Sequence, residues 1–206
     1  MKKWRIFMSN IIHESSRGID LIPLNDKLFS DNNIFLIGPV CRENCNVLIK
    51  QIMYLNSKAD VDCINLFIDS DGGSVQAGFA LYNIIRMVNK PIQTIILGQA
   101  CSMAAIIYMA ADTRLMLPDS RVMIHDPSFG GEHDISGKKP HEIQSELDDL
   151  NKCRTKLAEL ISERTGRSID EVYEATKDDS FFDTNEAIRF GICTGIFNLN
   201  ERDLYI

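Results

Sequence analysis

The chain has 206 residues, of which 45% are hydrophobic, and this is enough for a substantial buried core. Its formal net charge of -7 disfavours a surface for nucleic acid, and its longest apolar run is interrupted too early to span a bilayer. The apolar part of residues 1–10 is too short for the core of a secretory signal, so we expect a cytoplasmic protein. The length and composition agree with a single domain over residues 1–206.

Strands and helices are predicted to alternate through the first part of the chain. Apolar, β-rich runs predict strands at residues 34–37, 64–68, 92–97, near 114–117 and at 121–124. Amphipathic runs predict helices at residues 45–57, 75–88 and 103–111. This alternation indicates parallel βαβ units with right-handed crossovers, and therefore an α/β fold.

One long helix and two short ones are predicted in the last part of the chain. The long helix runs from about residue 140 to 164 and precedes Gly166, a residue type that suits the left-handed position after a helix. Its many charges are typical of a solvated face. Each short helix begins with a capping-box pattern, at residues 168–171 and 183–186.

The six cysteines are scattered, and several lie within apolar runs. This usage predicts free thiols in a reducing compartment rather than a disulfide framework. Cys41 and Cys45 are close in sequence but have no second pair of ligands nearby, so we interpret them as structural rather than zinc-binding.

Ser102 is a candidate nucleophile because it lies between the predicted strand at 92–97 and the predicted helix at 103–111. At such a step, a serine among small residues can expose its hydroxyl while the first helix amides stay free to bind an oxyanion. Ala100 and Ala104 fill the flanking positions, so the Gly-x-Ser-x-Gly elbow pattern is not present. An ordinary serine N-cap is the alternative interpretation.

His125 is the candidate general base. It ends a predicted strand, and strand ends are where sites are built in α/β folds. A serine hydroxyl needs an imidazole to accept its proton and to return it to the leaving amine. The other histidines lie in polar or Gly/Lys/Pro-rich segments and are interpreted as solvated, namely His13, His133 and His141. A purely structural role for His125 stays open at this stage.

A carboxylate and a glycine pair complete the candidate site. Asp179 comes shortly before an aromatic pair, but Asp126, Asp178 and Asp183 are nearby alternatives. The pair at residues 72–73 follows a predicted strand, where paired glycines commonly form a turn. A glycine amide can also approach a substrate carbonyl closely, because no side chain blocks it.

Several short segments, in this order, resemble the caseinolytic protease (ClpP) family of serine peptidases over nearly the whole chain. They are residues 16–18, 34–40, 67–73, 98–103, 123–127 and 185–191. The resemblance implies the ClpP/crotonase-like fold, a spiral of ββα units with a protruding handle strand and helix at about residues 126–165. It also implies an N-terminal axial segment at residues 1–20.

The same resemblance implies a role for each candidate residue. Ser102 would be the nucleophile, His125 the general base and Asp179 the carboxylate that orients the histidine. Asp179 is chosen by its spacing from the motif at residues 185–191. The amides of Gly73 and Met103 would form the oxyanion hole. Cys101 stands where the family carries a small residue and is not expected to be the nucleophile.

The partners that the resemblance implies are further copies of the chain, an AAA+ unfoldase and unfolded protein substrates, with neither nucleic acid nor membrane. The copies would form heptameric rings paired into a tetradecamer, and the unfoldase would be of the ClpX, ClpA or ClpC type. The peptidase itself would need no metal or nucleotide, because the unfoldase uses the ATP. Phe67 and Phe79 would contribute to an apical docking pocket, with core packing as an equal alternative, and Asn65 stands where an aromatic residue is often found.

The chain departs from the family pattern at a few positions. The segment at residues 132–140 is longer than usual, Asp69 replaces an asparagine, Asp71 a proline and Ala104 a glycine. Two other functions therefore remain open: a regulatory subunit of a mixed ring with weak catalysis, and a crotonase-like acyl-CoA enzyme. A membrane-linked Ser/Lys signal-peptide peptidase is disfavoured, because the sequence lacks a membrane segment.

Overall fold

The computed structural model describes residues 10–15, 18–129 and 136–198. Most of the expected axial segment at residues 1–20, including Ser16 and Arg17 of the first family motif, lies outside the described residues. Residues 132–135 of the unusual segment at residues 132–140 also lie outside them, as do residues 130–131 in the region of the expected handle strand.

The described residues form nine strands and seven helices in a mixed α/β order. The strands are β1 (Asn10–Ser15), β2 (Gly18–Pro23), β3 (Asn33–Ile37), β4 (Ile64–Ser70), β5 (Ile92–Cys101), β6 (Thr113–Met116), β7 (Arg121–Ile124), β8 (Ser180–Asp183) and β9 (Gly195–Ile196). The helices are α1 (Leu24–Ser30), α2 (Arg42–Asn56), α3 (Val75–Met87), α4 (Met103–Met109), α5 (Pro140–Thr165), α6 (Ile169–Thr176) and α7 (Thr184–Phe190).

The predicted alternation of strands and helices is confirmed. Each predicted strand and helix is present, with β5 extended to Cys101 and α2 beginning earlier, at Arg42. The β1–β2 hairpin, α1, β8 and β9 were not predicted, because none of them has a long periodic apolar pattern. The predicted helix ends are also confirmed, since Gly166 is left-handed after α5 and both short helices carry capping boxes.

The main sheet is parallel except at one edge. Its path is β3-β4-β5-β6-β9, and the antiparallel pair β7-β8 branches from β5. The strand β5 has two successive partners on the same side: residues 93–96 pair with β6, and residues 99–101 pair with β7. The last part of β5 therefore pairs with β7 in place of β6, and it keeps its pairing with β4 at Ala100.

Asp69 lies beside β5 at the point where its partner changes from β6 to β7. The register between β4 and β5 shifts between Ile68 and Ser70. There, the Gln99 amide donates to Asp69 Oδ1 at 3.1 Å. A Cβ atom on Gly98 would lie only 2.8 Å from the same oxygen, so a larger residue there would displace the Asp69 carboxylate. Asp69, which stands where the family has an asparagine, thus binds the backbone of β5 shortly before Ser102.

The core lies between the sheet and the helices α2, α3 and α4. All seven residues of α4 are buried, as expected for a helix that is apolar on every side. By contrast, no residue of α5 before Leu157 is buried, so the first part of this helix projects from the body. No helix in the described ranges is long and apolar enough to cross a membrane.

A buried arginine joins the end of the sheet to the C-terminal helices. Arg114 in β6 is 7% exposed, and its guanidinium donates to the backbone carbonyls of Ile192, Ala111, Arg164 and Gly191. Burial lowers the pKa of Arg114. These carbonyls lie at segment ends, so the side chain supplies hydrogen bonds that no strand or helix provides there.

Candidate active site

The backbone at Ser102 is held in an uncommon conformation. Its φ of 55° and ψ of −124° place a non-glycine residue in a strained region, as found at functional turns. The Ser102 amide donates to the Met123 carbonyl at 2.9 Å, which joins this turn to β7. Ser102 stands at the N-cap position of α4, but its side chain makes no capping hydrogen bond, so its hydroxyl is not used for capping.

Ser102 and His125 are brought together by two parallel strands. Cys101 pairs with Met123, so the residues that follow β5 and β7 leave the sheet side by side. Ser102 Oγ lies 2.7 Å from His125 Nε2, within hydrogen-bond distance. The hydroxyl therefore contacts the imidazole nitrogen that would accept its proton.

Asp179 approaches the other nitrogen of the imidazole from the edge strand. Ile124 pairs with Ser180 in the antiparallel ladder of β7 and β8, so His125 and Asp179 lie next to each other beyond the paired residues. Asp179 Oδ1 is 3.5 Å from His125 Nδ1, longer than a good hydrogen bond, and the Asp179 side chain is 63% exposed.

Two of the alternative carboxylates have other partners. Asp126 accepts a hydrogen bond from the Thr176 hydroxyl and forms an ion pair with Arg154. Asp183 caps α7 through its side chain. Sequence reasoning treated Asp126 only as a competitor of Asp179 and missed Arg154 and Thr176, since no local pattern marks them.

The glycine pair packs directly against the serine turn. A Cβ atom on Gly72 would lie 2.8 Å from Ser102 Cβ and 3.1 Å from the Met103 nitrogen. The φ of Gly73 is 144°, and a Cβ atom there would overlap the Val40 carbonyl oxygen. Both positions therefore require glycine for close approach as well as for conformation.

The amides of Gly73 and Met103 are free to bind an oxygen atom. Neither donates a hydrogen bond to another group in the described part of the chain. The Val40 amide donates to the Gly72 carbonyl, and the Ser74 amide donates to the Val40 carbonyl, so the loop before Gly73 is fixed on both sides. Met103 is the first residue of α4, where amides have no partner within the helix.

A small open cleft lies beside Ser102 and His125. Its walls are mainly apolar, and the residues that form them include Val75, Ile106, Leu157, Ala158 and Ile161. A concave apolar wall beside a polar reacting group suits the side chain of a peptide substrate.

A row of polar side chains crosses the outer face of the site. Gln99 Nε2 donates to Asp71 Oδ1, and Arg121 donates to Gln99 Oε1 at 2.8 and 3.1 Å. The Arg121 guanidinium lies 4.9 Å from the centre of the Phe181 ring in β8. Asp71, which replaces the family proline, is thus linked to the strand pair that carries His125 and Asp179.

The other candidate residues have separate environments. Cys101 is buried, and this burial raises the pKa of its thiol, which makes it a poor competitor of Ser102. All six cysteines are free. Within the residues that the structure describes, no three His, Cys, Asp or Glu side chains are grouped so that they could hold a metal ion.

Phe67 and Phe79 do not meet within one chain. Phe67 is buried in a small cluster with Ile95 and Phe197, whereas Phe79 packs on the main core from α3. Asn65 is buried in β4, the strand that also carries Phe67. Its side-chain amide accepts a hydrogen bond from Gln93 and donates one to Asn33.

Comparison with protein-family models identifies the family of the chain. The model described as Clp protease matches residues 16–200, nearly the whole length. This match favours a peptidase over an acyl-CoA enzyme, and it agrees with the α/β fold described above. The chain therefore belongs to the Clp protease family of peptidases, as its sequence resemblance predicted.

Proposed function

We propose that the protein is a serine endopeptidase, the proteolytic subunit of an ATP-dependent Clp protease that cleaves unfolded proteins. The observation that carries this proposal is the 2.7 Å contact between Ser102 Oγ and His125 Nε2 at a strained turn between a strand and a helix. A serine beside an imidazole is the minimum requirement for a hydroxyl nucleophile near neutral pH.

In the proposed reaction, Ser102 Oγ attacks the scissile carbonyl carbon while its proton passes to His125 Nε2. His125 then gives this proton to the leaving amine, and an acyl ester remains on Ser102. A water molecule next loses a proton to His125 and attacks the ester carbonyl carbon. The bond from this carbon to Ser102 Oγ then breaks, the acid product leaves, and His125 returns the proton to Ser102 Oγ. Asp179 orients the imidazole and stabilises its protonated form.

The Gly73 and Met103 amides form the proposed oxyanion hole. Their N–H groups are free, and the glycine loop is held against the serine turn by the contacts at Val40. Donors that are already oriented bind the tetrahedral oxyanion without reorganisation, and loss of one donor typically costs roughly 10²–10³-fold in kcat.

The apolar cleft supports a preference for peptides with an apolar side chain next to the cleaved bond. The peptide-cleavage step uses side chains and backbone amides, so the proposed peptidase needs no metal or nucleotide, and the ATP belongs to the unfoldase. The free state of all six cysteines supports a cytoplasmic location, where thiols stay reduced.

Self-association into heptameric rings, paired into a tetradecamer, is the proposed assembly. The first part of α5 supports it, because apolar residues there remain at least partly accessible, namely Ile143, Leu147 and Leu150. A projecting helix with such residues suits contact with a second ring. For the unfoldase, Phe35 supports a docking surface of apolar character, because its side chain is 39% exposed and stacks on the buried Phe67 ring at 5.1 Å.

The peptidase proposal is tested by labelling with a fluorophosphonate and by hydrolysis of short fluorogenic peptides. We expect the label on Ser102 and cleavage after leucine in preference to aspartate. His125→Ala should abolish labelling without changing the native mass. Labelling of wild type together with an absence of cleavage would favour the regulatory subunit, and an absence of labelling would refute the nucleophile.

The assembly proposal is tested by native mass. The triple variant Ile143→Glu, Leu147→Glu, Leu150→Glu should split the paired rings, since burial of unpaired carboxylates is costly. The matched control is Gln144→Glu with Asn151→Glu, which adds negative charge to the same helix without removing an apolar side chain. A monomer with full peptidase activity would contradict the role of α5.

A further inference from the structure

The carboxylate of Asp126 joins three separate elements beside the candidate site. Its Oδ1 accepts a hydrogen bond from the Thr176 hydroxyl at 2.7 Å, and its Oδ2 lies 2.6 Å from Arg154 Nε in α5. The Asp126 amide also donates to the Thr176 carbonyl at 2.6 Å. Thus the residue after His125 is bonded to the end of α6 through both its backbone and its side chain.

These contacts lie on the two backbone segments that carry the imidazole and its carboxylate. Asp126 directly follows His125, and Thr176 ends α6 shortly before Asp179. On the other side, Ile124 pairs with Ser180 in the β7–β8 ladder. The two backbone segments that carry His125 and Asp179 are therefore held together on both sides of these residues. The β7–β8 strand pairing lies on one side and the Asp126–Thr176 hydrogen bonds lie on the other.

Contacts that fix the spacing of these two segments are needed because the Asp179 side chain is exposed to solvent. Its side chain is 63% exposed, and its 3.5 Å distance from His125 Nδ1 lies at the limit of an effective contact. A small change in the spacing of the two segments would lengthen this contact further. Misplacement of a catalytic group by about 1 Å can cost roughly 100-fold in rate.

Arg154 holds the Asp126 carboxylate from the side of the projecting helix. Its guanidinium lies 4.4 Å from the centre of the Tyr173 ring, which is on α6 one turn before Thr176. The Nε atom is buried and is not aligned for a hydrogen bond, so its contact with Asp126 is an ion pair. The positive charge balances a carboxylate that stands next to the imidazole.

We propose that Asp126, held by Arg154 and Thr176, is a positioning residue that sets the separation of His125 and Asp179. The proposal rests on the serine-peptidase function above. Asp126, Arg154 and Thr176 line the cleft beside Ser102 and His125. The proposal assigns Asp126 no contact with the reacting atoms, and it makes Thr176 and Arg154 the two supports of one carboxylate.

The test uses the full assembled chain with Asp126→Asn, which removes the charge, and Thr176→Val, which removes the hydroxyl at nearly constant shape. We expect each to lower kcat by roughly 10–100-fold, with KM changed less than about two-fold. Thr176→Ser, which keeps the hydroxyl, should recover most of the kcat lost in Thr176→Val.

The matched control is Lys152→Ala, which breaks the exposed ion pair with Asp149 on the same helix and should leave kcat and KM unchanged. An unchanged kcat in both test variants would overturn the proposal, as would a rise in KM alone, which would assign Asp126 to substrate binding. If native mass showed that both test variants fail to assemble, the contacts of Asp126 would serve only the stability of the protein. This result would also overturn the proposal. An absence of labelling in wild type would instead refute the underlying peptidase function.

Discussion

Ser102 and Asp179 belong to the same candidate site but lie in opposite kinds of environment. Ser102 is enclosed by β7, the glycine loop and α4, in which all seven residues are buried. Asp179 precedes β8, a short strand paired only with β7, whose residues are exposed at alternate positions. The difference shows that packed backbone holds Ser102, the proposed nucleophile, whereas a few contacts near the surface hold the Asp179 carboxylate.

The two environments respond differently to substitution. Interiors are close-packed, so an added atom near Ser102 must displace backbone. At the exposed edge, water can replace a lost hydrogen-bond partner, and changes there are tolerated better. We therefore expect the largest losses of activity at the serine turn and progressively smaller ones towards β8 and α7.

The largest effect is expected for Ser102→Ala. This change deletes only the hydroxyl, so peptide hydrolysis should fall by roughly 10⁴-fold or more while the native mass stays the same. Steady-state cleavage of a fluorogenic peptide measures the loss. Activity near that of wild type in a pure preparation would show that the enclosed turn is not the reacting centre.

A nearly comparable loss is expected for Gly73→Ala. The new Cβ atom would overlap the Val40 carbonyl oxygen at a φ of 144°, so the loop must move away from Ser102. Displacement of the Gly73 amide should reduce kcat by roughly 10²–10³-fold. The control is Gly166→Ala, also left-handed at φ 75° but with open space around it, which should cost about 1 kcal/mol of stability and retain activity. Equal kcat in the two variants would contradict the inference that the loop at Gly73 is packed too tightly to accept a Cβ atom.

Asp179→Asn should lower kcat by roughly 10²-fold, because the amide favours the wrong imidazole tautomer. This is less than the roughly 10⁴-fold typical of a buried carboxylate, since water reaches the exposed Asp179 side chain. The neighbouring Asp178→Asn is the matched control and should change kcat less than about two-fold. The reverse ranking would mean that the other carboxylate faces the histidine.

The smallest effect is expected for Asp183→Ala at the end of β8. Asp183 accepts a hydrogen bond from the Glu186 amide at 2.8 Å and caps α7. Loss of this cap should cost about 1 kcal/mol, a decrease of roughly 2–4 °C in Tm, with kcat close to that of wild type. Asp183→Asn keeps the acceptor and should restore Tm in thermal denaturation. A large loss of kcat would show that the edge is as sensitive as the serine turn.

Much of this pattern can be predicted from the sequence, because it depends on neighbours along the chain. Apolar runs of strand and helix period give the alternation of β3 to α4, and the capping boxes at Ser168 and Asp183 mark two helix starts. The small residues around Ser102 and the strand before His125 likewise predict where the two reacting side chains lie in the topology.

Other features depend on contacts between distant parts of the chain, and only the tertiary structure decided them. Asp126, Asp178 and Asp179 are chemically equal in the sequence, and only the pairing of β7 with β8 brings Asp179 to 3.5 Å from His125. In the same way, the bonds of Asp126 to Arg154 and Thr176 join residues far apart in sequence. Periodicity and turn chemistry determine local structure, whereas the separation of two side chains is set by how complete elements pack.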